Sequence, residues 1–294
     1  MKKKILYIGT VNFSRFLLKE ILEYKSKIEI LIVSSQKKIN SDFVDMNEIA
    51  KKENLAIHLT SNINSVNSYK IIKKFKPDYI FCFGWSKLIN KKIINCANDF
   101  AIGYHPAELP KNRGRHPIIW AIYLGLKLTA STFFQLTETV DDGKIIDQKI
   151  IKIKKNYKSL DLYNALIKVS KKQIKTIMKK IVSNKKINIY KKKNENIWRK
   201  RSFVDGIIDW RMSGKSIIRL VNALSKPYPG ASFKFKNKYI NINEAKIIKK
   251  KPNNIEPGKI LDVSKKNFKI TCDDYIIKII MSEAQIKLKK NTYL

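Results

Sequence analysis

Cysteine is scarce. Cys82, Cys96 and Cys272 are the only three, and no two of them form a CxxC or share His-rich spacing. That excludes a disulfide framework and a zinc site, and leaves reduced thiols, as in the cytosol. Long apolar runs are missing too. The opening Met1-Lys2-Lys3-Lys4-Ile5-Leu6-Tyr7-Ile8 is basic and then apolar, but the run is too short for a signal peptide and breaks at Gly9, so it reads as a first strand. No stretch is long enough to span a bilayer, and a soluble, cytoplasmic protein is expected. Gly9-Thr10 is not a GxGxxG fingerprint and no GxxxxGK[ST] occurs, which leaves Rossmann dinucleotide chemistry and P-loop hydrolysis unsupported. Nor does a serine or cysteine with elbow spacing stand near a histidine, so no covalent intermediate is suggested.

Acidic residues are also in deficit, with 24 Asp and Glu against 61 Lys and Arg, for a formal net charge of +37. Such a charge suits polyanions. The lysines are spread over nearly every segment, however, and rise together with Ile and Asn. That joint excess reads as AT-rich codon bias, and nucleic acid is not the expected partner. The charge would still steer an anionic substrate.

What is present is a chain of 294 residues, 44% hydrophobic, long enough for one large or two smaller domains. Apolar runs at Lys4–Ile8, Ile28–Val33, Leu55–Leu59, Tyr79–Phe83 and Phe100–Tyr104 alternate with helical patterns at 10–24, Asp42–Glu53 and Asn64–Phe75. Continuous apolar strands separated by helices predict a mostly parallel sheet covered on both faces. Thr129–Leu136 and Lys144–Ile153 are β-rich, and a long helix follows Ser159, an expected N-cap. Its stripe is Leu160, Tyr163, Leu166, Ile167, Ile174, Ile177 and Ile181. A charged segment without apolar periodicity, 191–204, is expected to link a domain of residues 1–190 to one of residues 205–294. In the latter, short strands at Ser232–Phe235, Tyr239–Ile248, Gly258–Val263, Phe268–Thr271 and Tyr275–Met281 predict a small β-barrel or curled sheet, OB-like in type.

Chemistry concentrates at 101–120 and 129–149. His105 stands at the tip of a strand, followed by Pro106 and Pro110. It either caps the strand or serves as a neutral imidazole able to take a proton. Asp141-Asp142-Gly143 is either an ordinary hairpin turn or the source of a carboxylate that orients that imidazole. Arg113-Gly114-Arg115-His116, just before a helix start, suits phosphate or carboxylate, or is a solvated loop. Gly84-Trp85 lies at the carboxyl end of a strand, where open α/β sheets bind ligands.

The run His105-Pro106-Ala107-Glu108-Leu109-Pro110-Lys111-Asn112-Arg113-Gly114, then Pro117-Ile118-Ile119-Trp120-Ala121 and Asp141-Asp142-Gly143-Lys144-Ile145-Ile146, resembles the formyltransferase family that uses 10-formyltetrahydrofolate. The likeness extends to Ile8-Gly9-Thr10, Phe81–Trp85, Asp205–Trp210 and Pro227–Ala231. It implies a Rossmann-like α/β formyltransferase domain with a small C-terminal β domain. It implies catalysis by His105 and Asp141, with Gly103 at the position where the family has an asparagine thought to steady the oxyanion. Phe83, Gly84, Trp85, Leu88 and Asp141 would meet the folate, and Thr10, Arg113, Arg115 and His116 the acceptor. No metal is implied, and a homodimer is admitted.

Methionyl-tRNA formyltransferases normally carry a basic, Gly-rich loop after the second strand and Ser-Leu-Leu-Pro after the histidine. This chain has neither. The Pro-Ala-Glu-Leu-Pro run is more similar to sugar N-formyltransferases, and most to those acting on UDP-linked 4-amino-4,6-dideoxy sugars of pseudaminic-acid-type pathways, with dTDP or GDP also open. That places the expected role in lipopolysaccharide or other surface-glycan biosynthesis. Formylation of methionyl-tRNA and an inactive folate- or RNA-binding module are the alternatives.

Overall fold

The computed structural model describes residues 1–38, 41–282 and 287–294. Its strands and helices begin with β1 (Lys3–Ile8), α1 (Asn12–Leu22), β2 (Ile28–Ser34), α2 (Asn47–Glu53), β3 (Ala56–Leu59), α3 (Val66–Phe75), β4 (Tyr79–Cys82), α4 (Lys91–Ile94) and β5 (Phe100–His105). Then come β6 (Arg113–Gly114), α5 (Pro117–Tyr123), β7 (Leu128–Gln135), β8 (Ile145–Lys152), α6 (Ser159–Val182) and β9 (Ile197–Trp198). A short 3-10 turn (Phe203–Gly206), α7 (Gly214–Ala223), β10 (Ala231–Phe235), β11 (Lys238–Lys250), β12 (Ile260–Val263), β13 (Asn267–Thr271) and β14 (Tyr275–Met281) complete them.

Seven strands form one sheet in the order β3-β2-β1-β4-β5-β7-β8. The first five run parallel to their neighbours, while β7 is antiparallel to both β5 and β8. Burial on both faces explains the unbroken apolar runs: Ile5, Leu6, Tyr7 and Ile8 are all inaccessible to solvent. The second sheet, β10-β11-β14-β13-β12, is antiparallel throughout. Trp210, Phe233 and Phe268 pack ring against ring beside it, 5.5–6.2 Å apart. Its edges are closed by an Ile207–Ser232 bridge at β10 and by Asn291 and Thr292 bonding Ile260 at β12.

Three local readings are corrected. The second helix starts at Asn47 rather than Asp42, because Asp42–Val44 spend their backbone groups on the turn after β1: Asn12 N–H bonds Asp42 O and Val44 N–H bonds Thr10 O. Ser159 is not an N-cap; its hydroxyl donates to Ala223 O (2.6 Å), and the Asp161 carboxylate takes Lys158 N–H. Leu160 is 45% exposed, and the stripe of α6 is completed instead by Leu162 and Met178.

The described residues fall into two compact units. One comprises 1–117, 128–152 and 164–199; the other takes in 118–127, 153–163 and 200–294. Among the described residues, no helix is long and apolar enough to cross a membrane.

Within the first unit, Glu20 of α1 is nearly buried and holds Lys171 (2.6 Å) and Lys175 (2.9 Å). Burial alone would raise its carboxyl, but the two lysines keep it below the usual range. A depressed carboxyl stabilises the fold at pH values above its unfolded value of about 4.3, and the gain is lost as pH falls through the folded value. Glu20→Gln should therefore cost about 1 kcal/mol at pH 7, allowing for the half-exposed lysines. In thermal unfolding measured across pH, its deficit against the parent should close below about pH 4.

Candidate active site

β5 delivers His105 at its carboxyl end, opposite Thr132 of β7. The chain beyond is pinned to the antiparallel strands: Thr132 Oγ1 donates to Ala107 O (2.6 Å) and Gln148 Nε2 to Leu109 O (2.9 Å). His105 is 5% exposed. Its Nε2 lies 2.8 Å from the carbonyl of Asn112, and its Nδ1 lies 3.4 Å from Asp141 Oδ2. Carbonyl and carboxylate both only accept, so each competes for the ring proton of a neutral imidazole. The shorter contact, at hydrogen-bond distance, favours Nε2–H and leaves the Nδ1 lone pair beside the carboxylate. The resemblance-based pair of His105 and Asp141 is thus brought together.

Asp141 sits in the left-handed region (φ 50°), and its Oδ2 also accepts the N–H of Gly114 (3.0 Å). Gly114 has φ 99°, and a Cβ there would lie 2.4 Å from Trp198 O, so no other residue fits. Arg113 is buried, and its guanidinium is bonded within the protein. Its Nε donates to Val140 O (2.8 Å), and its Nη1 bonds both Asp142 (3.2 Å) and Glu195. The guanidinium expected to meet an anionic ligand instead holds the 140–142 turn in place. Arg115 ties this loop to the one after β4 through Ser86 O (2.5 Å). His116, at φ 57°, leads into α5.

Of the residues expected to meet folate, Phe83 is fully buried, its ring 5.3 Å from those of both Phe81 and Phe133. It is core, and its side chain is unavailable. Gly84 (φ 72°) follows, then half-buried Trp85, whose Nε1–H finds no acceptor among the described residues. Leu88 is 64% exposed. Trp85 packs against the core cluster that holds Leu6, Ile8 and Ile89, and its Nε1 is buried, so the exposed apolar side chain that the loop after β4 offers a ligand is Leu88. Thr10 is buried at the end of β1, and its hydroxyl likewise lacks a partner.

Gly103, at the position where the resemblance puts an asparagine, pairs with Phe134 across β5 and β7. A Cβ at Gly103 would lie 2.6 Å from Phe134 Cζ, so the ring already fills the space where that side chain would begin. On the other side, Gly103 pairs with Cys82, whose thiol is pushed up to about 12 by burial and then by the Asp141 charge. Cys82 is no thiolate nucleophile at neutral pH.

Sequence reasoning missed Asn112, which acts through its main-chain carbonyl, and the 195–198 segment that braces it. Asn112 lies inside the motif but its role rests on a main-chain carbonyl, and 195–198 lies in Lys- and Asn-rich surroundings that give no signal.

The family model for formyl transferase matches residues 2–178, and the model for the formyl transferase C-terminal domain matches residues 202–293. The bifunctional polymyxin resistance protein ArnA of Wigglesworthia glossinidia brevipalpis is 32% identical over 67% of this chain and 31% of its own length. Methionyl-tRNA formyltransferase of Buchnera aphidicola subsp. Acyrthosiphon pisum is 28% identical over 95% of this chain and 90% of its own. The crystal structure of an N-formyltransferase from Helicobacter canadensis, in complex with folinic acid and dTDP-3-aminofucose, superposes with a TM-score of 0.70 at 16% identity, covering 96% of this chain and all of that one. The chain belongs to the formyl transferase family.

Proposed function

We propose that the protein transfers the formyl group of 10-formyltetrahydrofolate to the amine of a nucleotide-linked amino sugar. The observation that carries the reading is the His105 ring, with its Nε2 proton fixed on Asn112 O and its Nδ1 facing Asp141. When bound, the folate supplies an activated formyl carbon. The acceptor amine attacks that carbon with its lone pair and must lose a proton as the new C–N bond forms. His105 Nδ1 takes the proton, and the resulting imidazolium satisfies both of its acceptors, Asn112 O and Asp141 Oδ2. As the bond from the formyl carbon to the folate nitrogen breaks, the same proton goes to that nitrogen. The loop after β4, with Trp85 and exposed Leu88, is the surface for the folate. Thr10 Oγ1, Arg115 and His116 are proposed for the acceptor, while Arg113 holds the loop that carries Asp141.

The folate and the dTDP-linked amino sugar in the Helicobacter canadensis structure support this acceptor class. So does the Pro106–Pro110 run; a UDP-linked 4-amino-4,6-dideoxy sugar is the specific acceptor we favour. A second reading, formylation of methionyl-tRNA, draws on the match along 95% of the chain and on the +37 charge. We further propose residues 1–190 and 205–294 as the functional domains, acting in the cytoplasm.

The test is incubation with 10-formyltetrahydrofolate and a panel of UDP-, dTDP- and GDP-linked amino sugars, with methionyl-tRNA alongside, read by mass spectrometry. A formylated sugar nucleotide is the expected product. Formylated tRNA alone, made with steep salt dependence, would replace this reading with the second. No product from any acceptor, with folate bound, would leave an inactive binding module.

A further inference from the structure

We propose that the segment 195–198 is a strap that fixes the proton position on His105, with Asn196 its positioning residue; this rests on the reading of His105 as the proton acceptor. The Asn112–Arg113 peptide is held from both sides. Its carbonyl meets His105 Nε2 at 2.8 Å, and its N–H donates to the main-chain carbonyl of Asn196 at 3.1 Å. The preceding peptide is held by the same residue, since Asn112 N–H donates to Asn196 Oδ1 at 2.8 Å. Asn196 therefore fixes both peptide planes that flank the Asn112 Cα, and with them the direction of the carbonyl that decides which imidazole nitrogen carries hydrogen.

The strap is itself anchored at several points. Glu195 pairs with Arg113, and Ile197–Trp198 run parallel to Arg113–Gly114. Trp198 O accepts Arg115 N–H (3.2 Å). Upstream, Tyr190 and Ile145 exchange two main-chain bonds, and Lys192 Nζ reaches Gln148 Oε1 (2.6 Å). A segment with the composition of a linker thus closes over the loop that carries His105's partner. Without the Asn196 side chain, Asn112 loses one of its two restraints. The neutral ring is then freer to place its proton on Nδ1, toward Asp141, which removes the lone pair the amine needs.

The test compares Asn196→Ala with Asn196→Asp, which keeps an accepting oxygen in the same place. The first readout is the ¹⁵N spectrum of the three histidines, with His105 assigned by substitution; the second is steady-state formyl transfer. In the alanine variant we expect the neutral His105 ring to shift from the Nε2–H toward the Nδ1–H tautomer. We expect kcat to fall about tenfold with little change in KM, the signature of lost orientation rather than lost binding. The aspartate variant should restore both. An unchanged tautomer in Asn196→Ala, or a loss confined to KM, overturns the strap. If Asn196→Ala does not fold, Asn196→Ser is read by the same two measurements. If no acceptor is formylated, the proposed function fails, but the tautomer shift still decides the strap.

Discussion

His105→Ala should lower kcat for formyl transfer by about 10²–10⁴-fold, the range that a positioned proton acceptor contributes. The substitution removes the imidazole between Asn112 O and Asp141 Oδ2, the proposed proton acceptor at the buried end of β5. KM for the folate should hardly move, since the loop after β4 is untouched. Asp141→Asn should cost less, because an amide oxygen can still accept Gly114 N–H while the charge that supports the imidazolium is gone. Steady-state kinetics on protein shown to be folded by circular dichroism would decide it. If His105→Ala kept more than a tenth of the parental kcat, proton transfer by this ring would not be part of the reaction.

The second large effect concerns Gly103. Restoring the asparagine that the family resemblance leads one to expect should harm this protein. The new Cβ would press on Phe134 Cζ and, at 3.2 Å, on Leu136 Cδ1, inside a sheet with no spare room. Overpacking of this kind costs about 1–3 kcal/mol, and a displaced Phe134 would disturb β7 where it faces the β5 tip. Gly103→Asn is expected to lose that much stability in denaturant unfolding and to lose activity with it. Pairing it with Phe134→Leu, which shortens the ring to an aliphatic side chain, should recover part of both. A double-mutant cycle should then show coupling of about 0.5–3 kcal/mol. A single Gly103→Asn variant as stable as the parent would refute the packing argument. If the double variant is faster than the single one, a carboxamide donor can still serve the oxyanion here; one such donor is typically worth about 3 kcal/mol.

The strands of both sheets were readable because their burial leaves a pattern: two covered faces give unbroken apolar runs, and one covered face gives alternation. All five strands of the second sheet lie where the short runs from Ser232 to Met281 place them. Features set by long-range backbone bonds were not readable. Nothing in Asp42–Val44 says that those residues will pair with the turn after β1. Nothing in Arg113 says that its charge faces Asp142 and Glu195 rather than solvent. His105 and Asp141 came from a motif, whereas Asn112 contributes through a peptide group that every residue possesses, and Asn196 through its main-chain carbonyl and one carboxamide oxygen among many in an Asn-rich chain.

The backbone passes between the two compact units at 117/118, 127/128, 152/153, 163/164 and 199/200. On the ribosome the chain appears in that order, so the first unit is complete once residue 199 has emerged. Residues 118–127 and 153–163 emerge much earlier than what they pack against. Trp120 and Tyr123 await Arg201, which lies over both rings, and Ser159 awaits Ala223. Each nascent chain therefore carries two stretches whose partners Arg201 and Ala223 appear only in the last third of synthesis. A chain cut at 199/200 would leave both stretches without those partners, and the separated C-terminal piece would lack the segments that complete its unit.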